Sequence, residues 1–196
     1  MKEFKTEKRK NKITSVINYR QKSLRVVLEN IHDPHNVSAI FRTCDAVGVS
    51  KVSLVYTIEK FPRIGKKSSA SAFKWVEKDK YKSIKECYDT LRKDGYSIYA
   101  SSISEDAVSL YDLDLTKKVA VVLGNEHRGV SDEAAELADK KFLIPMYGMV
   151  QSLNVSVATA VILYEAQRQR KQNGFYDSTE YSEEELEKFI EAWCKK

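Results

Sequence analysis

Five consecutive apolar residues, Val119-Ala-Val-Val-Leu123, lie between Lys117-Lys118 and the polar loop Gly124-Asn-Glu-His-Arg-Gly129. A β-strand turns alternate residues to opposite faces, so a strand apolar at every position needs cover on both sides. Such a strand belongs in the middle of a parallel sheet with helices on both faces. The rest of the chain supplies what that requires. Leu24-Arg-Val-Val-Leu28 reads as a strand, and Asn30 to Asn36 follow as a loop with turn chemistry. Val37, Ile40, Phe41, Cys44 and Val47 then recur at helical spacing, and Gly48 stops the helix before a second strand at Lys51–Val55. That is a βαβ unit. Ile84, Tyr88 and Leu91 stripe another helix, closed by Gly95, ahead of a strand at Tyr96–Ala100. Ser131 followed by two acids opens a helix, and Phe142–Ile144 is a further strand. Residues 152–171 form a long helix, roughly 30 Å at 1.5 Å per residue. Ser182-x-x-Glu185 is a capping box before a terminal helix. Strands alternating with helices predict an α/β fold with a mostly parallel sheet.

The 196 residues are enough for one such unit. We divide them into a basic N-terminal arm or helix (1–22), a core (23–172) and a helical C-terminal extension (173–196). The charge excess of +5 is uneven: residues 1–25 carry nine Lys or Arg against two Glu, whereas 177–191 is acidic. A basic arm suits a polyanionic partner. The basic stretch 59–72 reads as a loop. Three scattered cysteines, Cys44, Cys87 and Cys194, suit reduced thiols in the cytoplasm. No apolar run approaches the roughly 20 residues a membrane helix needs, and the N-terminus is too polar for a signal peptide.

Nucleotide fingerprints fail. Gly65-Lys-Lys-Ser68 resembles the end of a P-loop, but Lys60 stands where the first glycine belongs; after Gly124-x4-Gly129 comes Val130-Ser131 instead of Lys-Ser/Thr. No GxGxxG follows a strand. His32, His35 and His127 lack zinc-type companions, so no metal is expected. Three segments remain. The Gly124–Gly129 loop follows the central strand, where open α/β sheets bind ligands, or is a tight turn feeding the next helix. Asn36 is an N-cap or part of a polar patch with Arg42, whose guanidinium suits phosphate. The segment Ile144-Pro-Met-Tyr-Gly-Met-Val-Gln-Ser-Leu-Asn154 enters a helix whose first half is apolar nearly all round. Such a helix is expected to be buried on every side, in the core or at a subunit interface. Ser152 and Asn154 would then be buried polar groups needing partners, or ordinary caps.

Taken together, Asn36-x5-Arg42, Leu123-Gly-Asn-Glu-x-x-Gly129 and Ile144-Pro-Met-x-Gly-x3-Ser-Leu-Asn-Val-Ser-Val-Ala158 resemble the three signature motifs of the SPOUT methyltransferases. In detail they resemble the SpoU/TrmH branch, which methylates RNA ribose 2′-hydroxyls. The stretch from Leu28 to Val49 is similar to the branch members that act on guanosine 18 of the tRNA D-loop, and the likeness covers roughly 10–175. It implies a C-terminal trefoil knot, a topology no general rule predicts. It implies S-adenosylmethionine as cofactor, with contacts at Ser101, Gly124, Ile144 and Leu153; the first position usually holds Thr in the family, and Ser101 keeps the hydroxyl. It also implies a catalytic and substrate cluster of Asn36, Arg42, Glu126, Ser152 and Asn154, a homodimer, and tRNA as partner. Two other functions compete: ribosomal RNA methylation, whose enzymes commonly carry an added RNA-binding domain, and RNA binding without catalysis.

Overall fold

The computed structural model describes residues 7–63 and 72–196. In chain order the elements are α1 (Glu7–Asn18), β1 (Gln21–Glu29), α2 (Pro34–Ala46), β2 (Val49–Val55), α3 (Ala72–Trp75), β3 (Glu77–Tyr81), α4 (Ile84–Lys93), β4 (Ser97–Ser101), β5 (Val108–Ser109), β6 (Val119–Leu123), α5 (Asp132–Glu136), β7 (Lys140–Leu143), α6 (Val155–Gln172) and α7 (Glu183–Cys194). The strands form one sheet in the order β3-β2-β1-β6-β4-β7-β5, and every pairing is parallel. The apolar run at 119–123 is β6, inside the sheet and buried at all five positions. Its residues alternate between two cores. Val119, Val121 and Leu123 pack with Val37, Ile40 and Phe41 of α2 and Ile162, Leu163 and Ala166 of α6. Ala120 and Val122 pack with Ile84, Cys87, Tyr88 and Leu91 of α4 and Ala134 of α5.

Several boundaries move. β1 runs from Gln21, three residues before the apolar run begins, because its parallel partner β2 also extends back to Val49. The edge strand β3, Glu-Lys-Asp-Lys-Tyr, carries almost no apolar signal and is held by its ladder to β2. The two-residue β5 is equally silent. Of the basic loop at 59–72, residues 64–71 lie outside the described residues. α6 starts at Val155 because Asn154 caps it, its Oδ1 accepting from Ser156 N–H.

α1 and α7 pack together at one edge through Ile13, Ile17 and Trp193, with Trp75 of α3 4.9 Å from Trp193 between ring centroids. Arg20 is buried there, paired with Asp45 and stacked on Trp193, so it is not among the cations available to a partner. Arg170 of α6 is wholly buried; burial lowers its pKa. It donates to the carbonyls of Leu115, Ser23 and Lys117, to Gln21 and to Ser23 Oγ. Those bonds tie α6 to the start of β1.

The register decides where chemistry can occur. Leu28 of β1 pairs with Leu54 and Leu123, so β1, β2 and β6 end level with one another. The loops at 30–36, 56–59 and 124–130 therefore emerge side by side, at the point where successive strands begin to be added on the opposite edge. Ligands of open parallel sheets bind at such a switch point.

Candidate active site

α2 begins with Asp33 as its cap, accepting from His35 N–H, and Pro34 at its first position. The capping alternative for Asn36 is thereby excluded: Asn36 sits inside the first turn, with its side chain directed to other segments. Its Nδ2 donates to Glu126 Oε1 at 2.9 Å, and its Oδ1 accepts from Asn154 Nδ2 at 3.1 Å. Glu126 also accepts from the backbone N–H groups of His32 (3.0 Å, Oε2) and Asp33 (3.1 Å, Oε1). Three segments distant in sequence thus meet through one chain of hydrogen bonds, Asn154–Asn36–Glu126.

Burial alone would raise the Glu126 carboxyl, but the bonds from Asn36, His32 and Asp33 outweigh it and hold the group below the ordinary carboxylate range. A carboxyl whose folded-state pKa lies below its unfolded value of about 4.3 contributes stability that is complete above that pH. The contribution is lost as pH falls through the folded value. Glu126→Gln should therefore flatten the acid limb of the urea midpoint as pH falls below about 4.3. It should also cost about 1–3 kcal/mol at neutral pH, because an amide cannot accept all three donors. An unchanged acid limb would contradict this.

Two members of the expected cluster stand apart. Arg42 is exposed and makes no hydrogen bond or ion pair with any described residue; it lies six residues along α2, about 9 Å from Asn36. Ser152 is exposed too, as is Asn154. The expectation that the 152–162 stretch is buried on every side does not hold within one chain. Leu153, Val157 and Tyr164 are 37%, 48% and 51% exposed, and Tyr147 and Met149 beyond them are bare. Helix α6 turns its other face, Ile162, Leu163 and Ala166, into the core.

The four residues expected at the cofactor fall at strand ends or at the start of a helix. Ser101 closes β4, Gly124 follows β6, Ile144 follows β7, and those three strands are neighbours. Leu153 directly precedes Asn154, the cap of α6. Gly124 is required for a reason other than a left-handed backbone. A Cβ there would lie 2.1 Å from the Gly129 carbonyl and from Val130 N, because the loop doubles back through the Asn125–Gly129 bridge. The left-handed glycine of this loop is Gly129, with φ +70°.

Asn30 and Glu59 belong to none of the three signature motifs, yet both are bonded to the loops around the site. Asn30 holds the 57–59 turn. Glu59 bridges Arg128 (3.0 Å) and His32 (3.3 Å), and hydrogen bonding from Arg128 lowers its pKa.

A parallel α/β sheet with a polar, glycine-bearing site at its switch point defines a ligand-binding enzyme of the open-sheet class. The chain belongs to the SpoU rRNA Methylase family, which it matches over residues 23–164. It is 46% identical to the tRNA (guanosine(18)-2′-O)-methyltransferase of Thermus thermophilus, over 98% of each chain. It is similar in structure to the A. aeolicus TrmH/SpoU tRNA-modifying enzyme, with TM-score 0.91, 43% identity and 96% of each chain covered. It also resembles the SpoU methyltransferase AviRb from Streptomyces viridochromogenes in complex with the cofactor AdoMet (TM-score 0.69, 28% identity, 79% of this chain and 60% of that one).

Proposed function

We propose that the protein transfers a methyl group from S-adenosylmethionine to the ribose 2′-oxygen of guanosine 18 in tRNA. The observation that carries this reading is the Asn154–Asn36–Glu126 chain, which joins residues from all three signature segments at one site. The near full-length identity to enzymes of that name supports the substrate.

The residues present fit the cofactor. Half-buried Ile144 and exposed Ile103 and Leu153 offer apolar surface to a flat adenine; Ser101 offers a hydroxyl, and the strand ends offer backbone donors and acceptors. When bound, S-adenosylmethionine supplies an electrophilic methyl group on a sulfonium. The work of the chain is then to place the 2′-hydroxyl and to stabilise its developing charge. Asn36 and Asn154 have their amides locked on each other and on Glu126, so they form a fixed wall for the ribose. Glu126 is a weak base, since both of its oxygens are already engaged; it anchors the loops and leaves the proton to solvent or phosphate. Arg42 and Ser152, unengaged by the rest of the site, face the substrate, Arg42 as a phosphate clamp.

Three wider features belong to the same reading. The segment 144–154 passes through the turn of the neighbouring loop as a trefoil knot. A second copy of the chain covers Leu153, Val157 and Tyr164, giving a homodimer that works in the cytoplasm. The described residues contain no helix long and apolar enough to cross a membrane. The arm and extension at 1–22 and 173–196 flank the catalytic core and face tRNA.

Lys8, Arg9, Lys10 and Lys12 are all exposed on α1, while Ile13 and Ile17 anchor it; Arg63 is exposed as well. Lys5 of the basic arm and Lys66 and Lys67 of the basic 59–72 stretch, cations also suited to a polyanionic partner, lie outside the described residues. Replacing the four α1 cations by Gln should weaken tRNA binding, with the log–log salt slope reduced by about 0.7–0.9 for each phosphate no longer neutralised. Cofactor affinity should stay the same. Equal slopes would remove α1 from the interface. The activity itself is tested by incubating the protein with labelled S-adenosylmethionine and either unmodified tRNA or ribosomal RNA. Label is expected in the tRNA, and label confined to ribosomal RNA would overturn the assignment.

A further inference from the structure

Asn30 is the only described residue other than glycine with a positive φ, +51°. It is 4% exposed and sits at the carboxyl end of β1, between the two loops that flank the site. Asparagine tolerates this left-handed conformation better than most residues, and backbone outliers of this kind persist only where their surroundings over-determine them. Here the surroundings use every polar group it has. Its N–H donates to Val55 O at 3.0 Å and its carbonyl accepts from Asn125 Nδ2 at 2.9 Å. Its Oδ1 accepts from three successive backbone N–H groups, those of Thr57 (2.9 Å), Ile58 (3.1 Å) and Glu59 (3.2 Å). Its Nδ2 donates to Thr57 Oγ1 at 3.3 Å.

We propose that Asn30 is a positioning residue for the methyl-transfer site: its side chain is the template on which the 57–59 turn folds, and through Glu59 that turn fixes the loops carrying His32 and Arg128 around Glu126. The route is continuous. Glu59 Oε1 accepts from Arg128 Nη2 at 3.0 Å, and Glu59 Oε2 lies 3.3 Å from His32 Nδ1. The His32 N–H is itself one of the donors to Glu126. On the other side Asn125, held by the Asn30 carbonyl, uses its Oδ1 to accept from the N–H groups of His127 and Arg128. One residue therefore sets the relative position of the β1, β2 and β6 loops. The catalytic part of this inference rests on the methyltransferase reading above; the loop coupling does not.

Two substitutions separate the side chain from the backbone. Asn30→Gly keeps the left-handed backbone and both main-chain bonds but removes the template. Asn30→Asp keeps the acceptor oxygen, and the Thr57 hydroxyl can rotate to donate to it. Amide hydrogen exchange at Thr57, Ile58 and Glu59, read without substrate, should accelerate in Asn30→Gly and return to parental rates in Asn30→Asp. The single-turnover methylation rate on pre-bound tRNA should fall about tenfold or more in the Gly variant, the order expected when a site is misplaced by a fraction of an ångström. It should recover to within about threefold in the Asp variant, with S-adenosylmethionine affinity changed less than about twofold in either. Glu59→Gln should lose activity in the same direction, and adding it to Asn30→Gly should cost nothing further. Parental exchange and rate in the Gly variant would overturn the proposal, as would an Asp variant as impaired as Gly. If the Gly variant does not fold, the Asp and Gln variants still decide: an inactive Asp variant or a fully active Gln variant refutes it. A parent protein inactive on every RNA would sink the methyltransferase reading alone, while the exchange measurement still judged the coupling.

Discussion

Arg42→Lys should slow methyl transfer on pre-bound tRNA about a hundredfold, the scale on which misplaced substrate groups are felt, and the loss should not recover with rising pH. Two roles for a cation at this position make opposite forecasts. As a proton acceptor, an arginine would have to shed a proton that guanidinium side chains do not give up in proteins. As a clamp, it presents a planar fork to a phosphate, which the single ammonium of lysine cannot reproduce. Arg42 is exposed on α2 with no carboxylate paired to it among the described residues, so its fork is free for a polyanionic substrate. Glu126, the one carboxylate of the expected cluster, is consumed by three donors of its own. Lysine titrates near 10.4. If the side chain at position 42 takes the proton, the Lys enzyme should gain rate along one titration as the medium turns alkaline, while the parent stays flat. Single-turnover rates between neutral and mildly alkaline pH distinguish the two, and a clean rise confined to the Lys enzyme would refute the clamp.

Gly124→Ala should abolish measurable S-adenosylmethionine binding, a loss of about a hundredfold or more, although only one methyl group is added. That carbon would arrive 2.1 Å from the carbonyl carbon and oxygen of Gly129 and from Val130 N, all of them backbone atoms. A flexible side chain could swing away; a peptide unit can yield only if the loop opens. Opening it breaks the Gly129 N–H to Asn125 O bond (2.8 Å) and disturbs the Asn125 bond to Asn30. Overpacking of this kind typically costs about 1–3 kcal/mol of stability, which a domain with several buried strands can bear. The variant should therefore fold, bind tRNA through its basic surface, and fail to take up cofactor in calorimetry. A folded Ala variant with parental cofactor affinity would remove Gly124 from the site.

What is legible in the sequence follows from which forces write on local patterns. The central strand can be read because burial on both faces leaves Val119–Leu123 with no polar position. The Ser131 cap and the Ser182–Glu185 capping box can be read because their partners lie three residues away. β3 cannot: its residues are charged, and its ladder to β2 uses only the backbone. Site membership is readable for Asn36, Glu126 and Asn154 only through the family resemblance, since their mutual bonds span 90 to 118 residues. The same distance hides Arg20, whose burial against Asp45 and Trp193 depends on how α7 returns to the N-terminal edge. The glycine at 124 stands out by its spacing, but the cause, a backbone crossing, is a tertiary fact. The helix at 155–172 cannot be placed from its pattern alone, because an apolar face left exposed, as at Leu153, Val157 and Tyr164, and an apolar face in a core look alike in sequence. Asn30 reads as ordinary turn chemistry, because three converging N–H groups from another loop leave no trace at position 30 itself.

Which atom receives the methyl group is the decisive question. Unmodified tRNA incubated with the protein and isotopically labelled S-adenosylmethionine, then cut by nuclease and mapped by mass, should carry label in the fragment holding guanosine 18. The same tRNA with 2′-deoxyguanosine at that position should carry none. Label that persists in the deoxy substrate, or that maps to a base or to another ribose in both, would contradict 2′-O-methylation at this nucleotide.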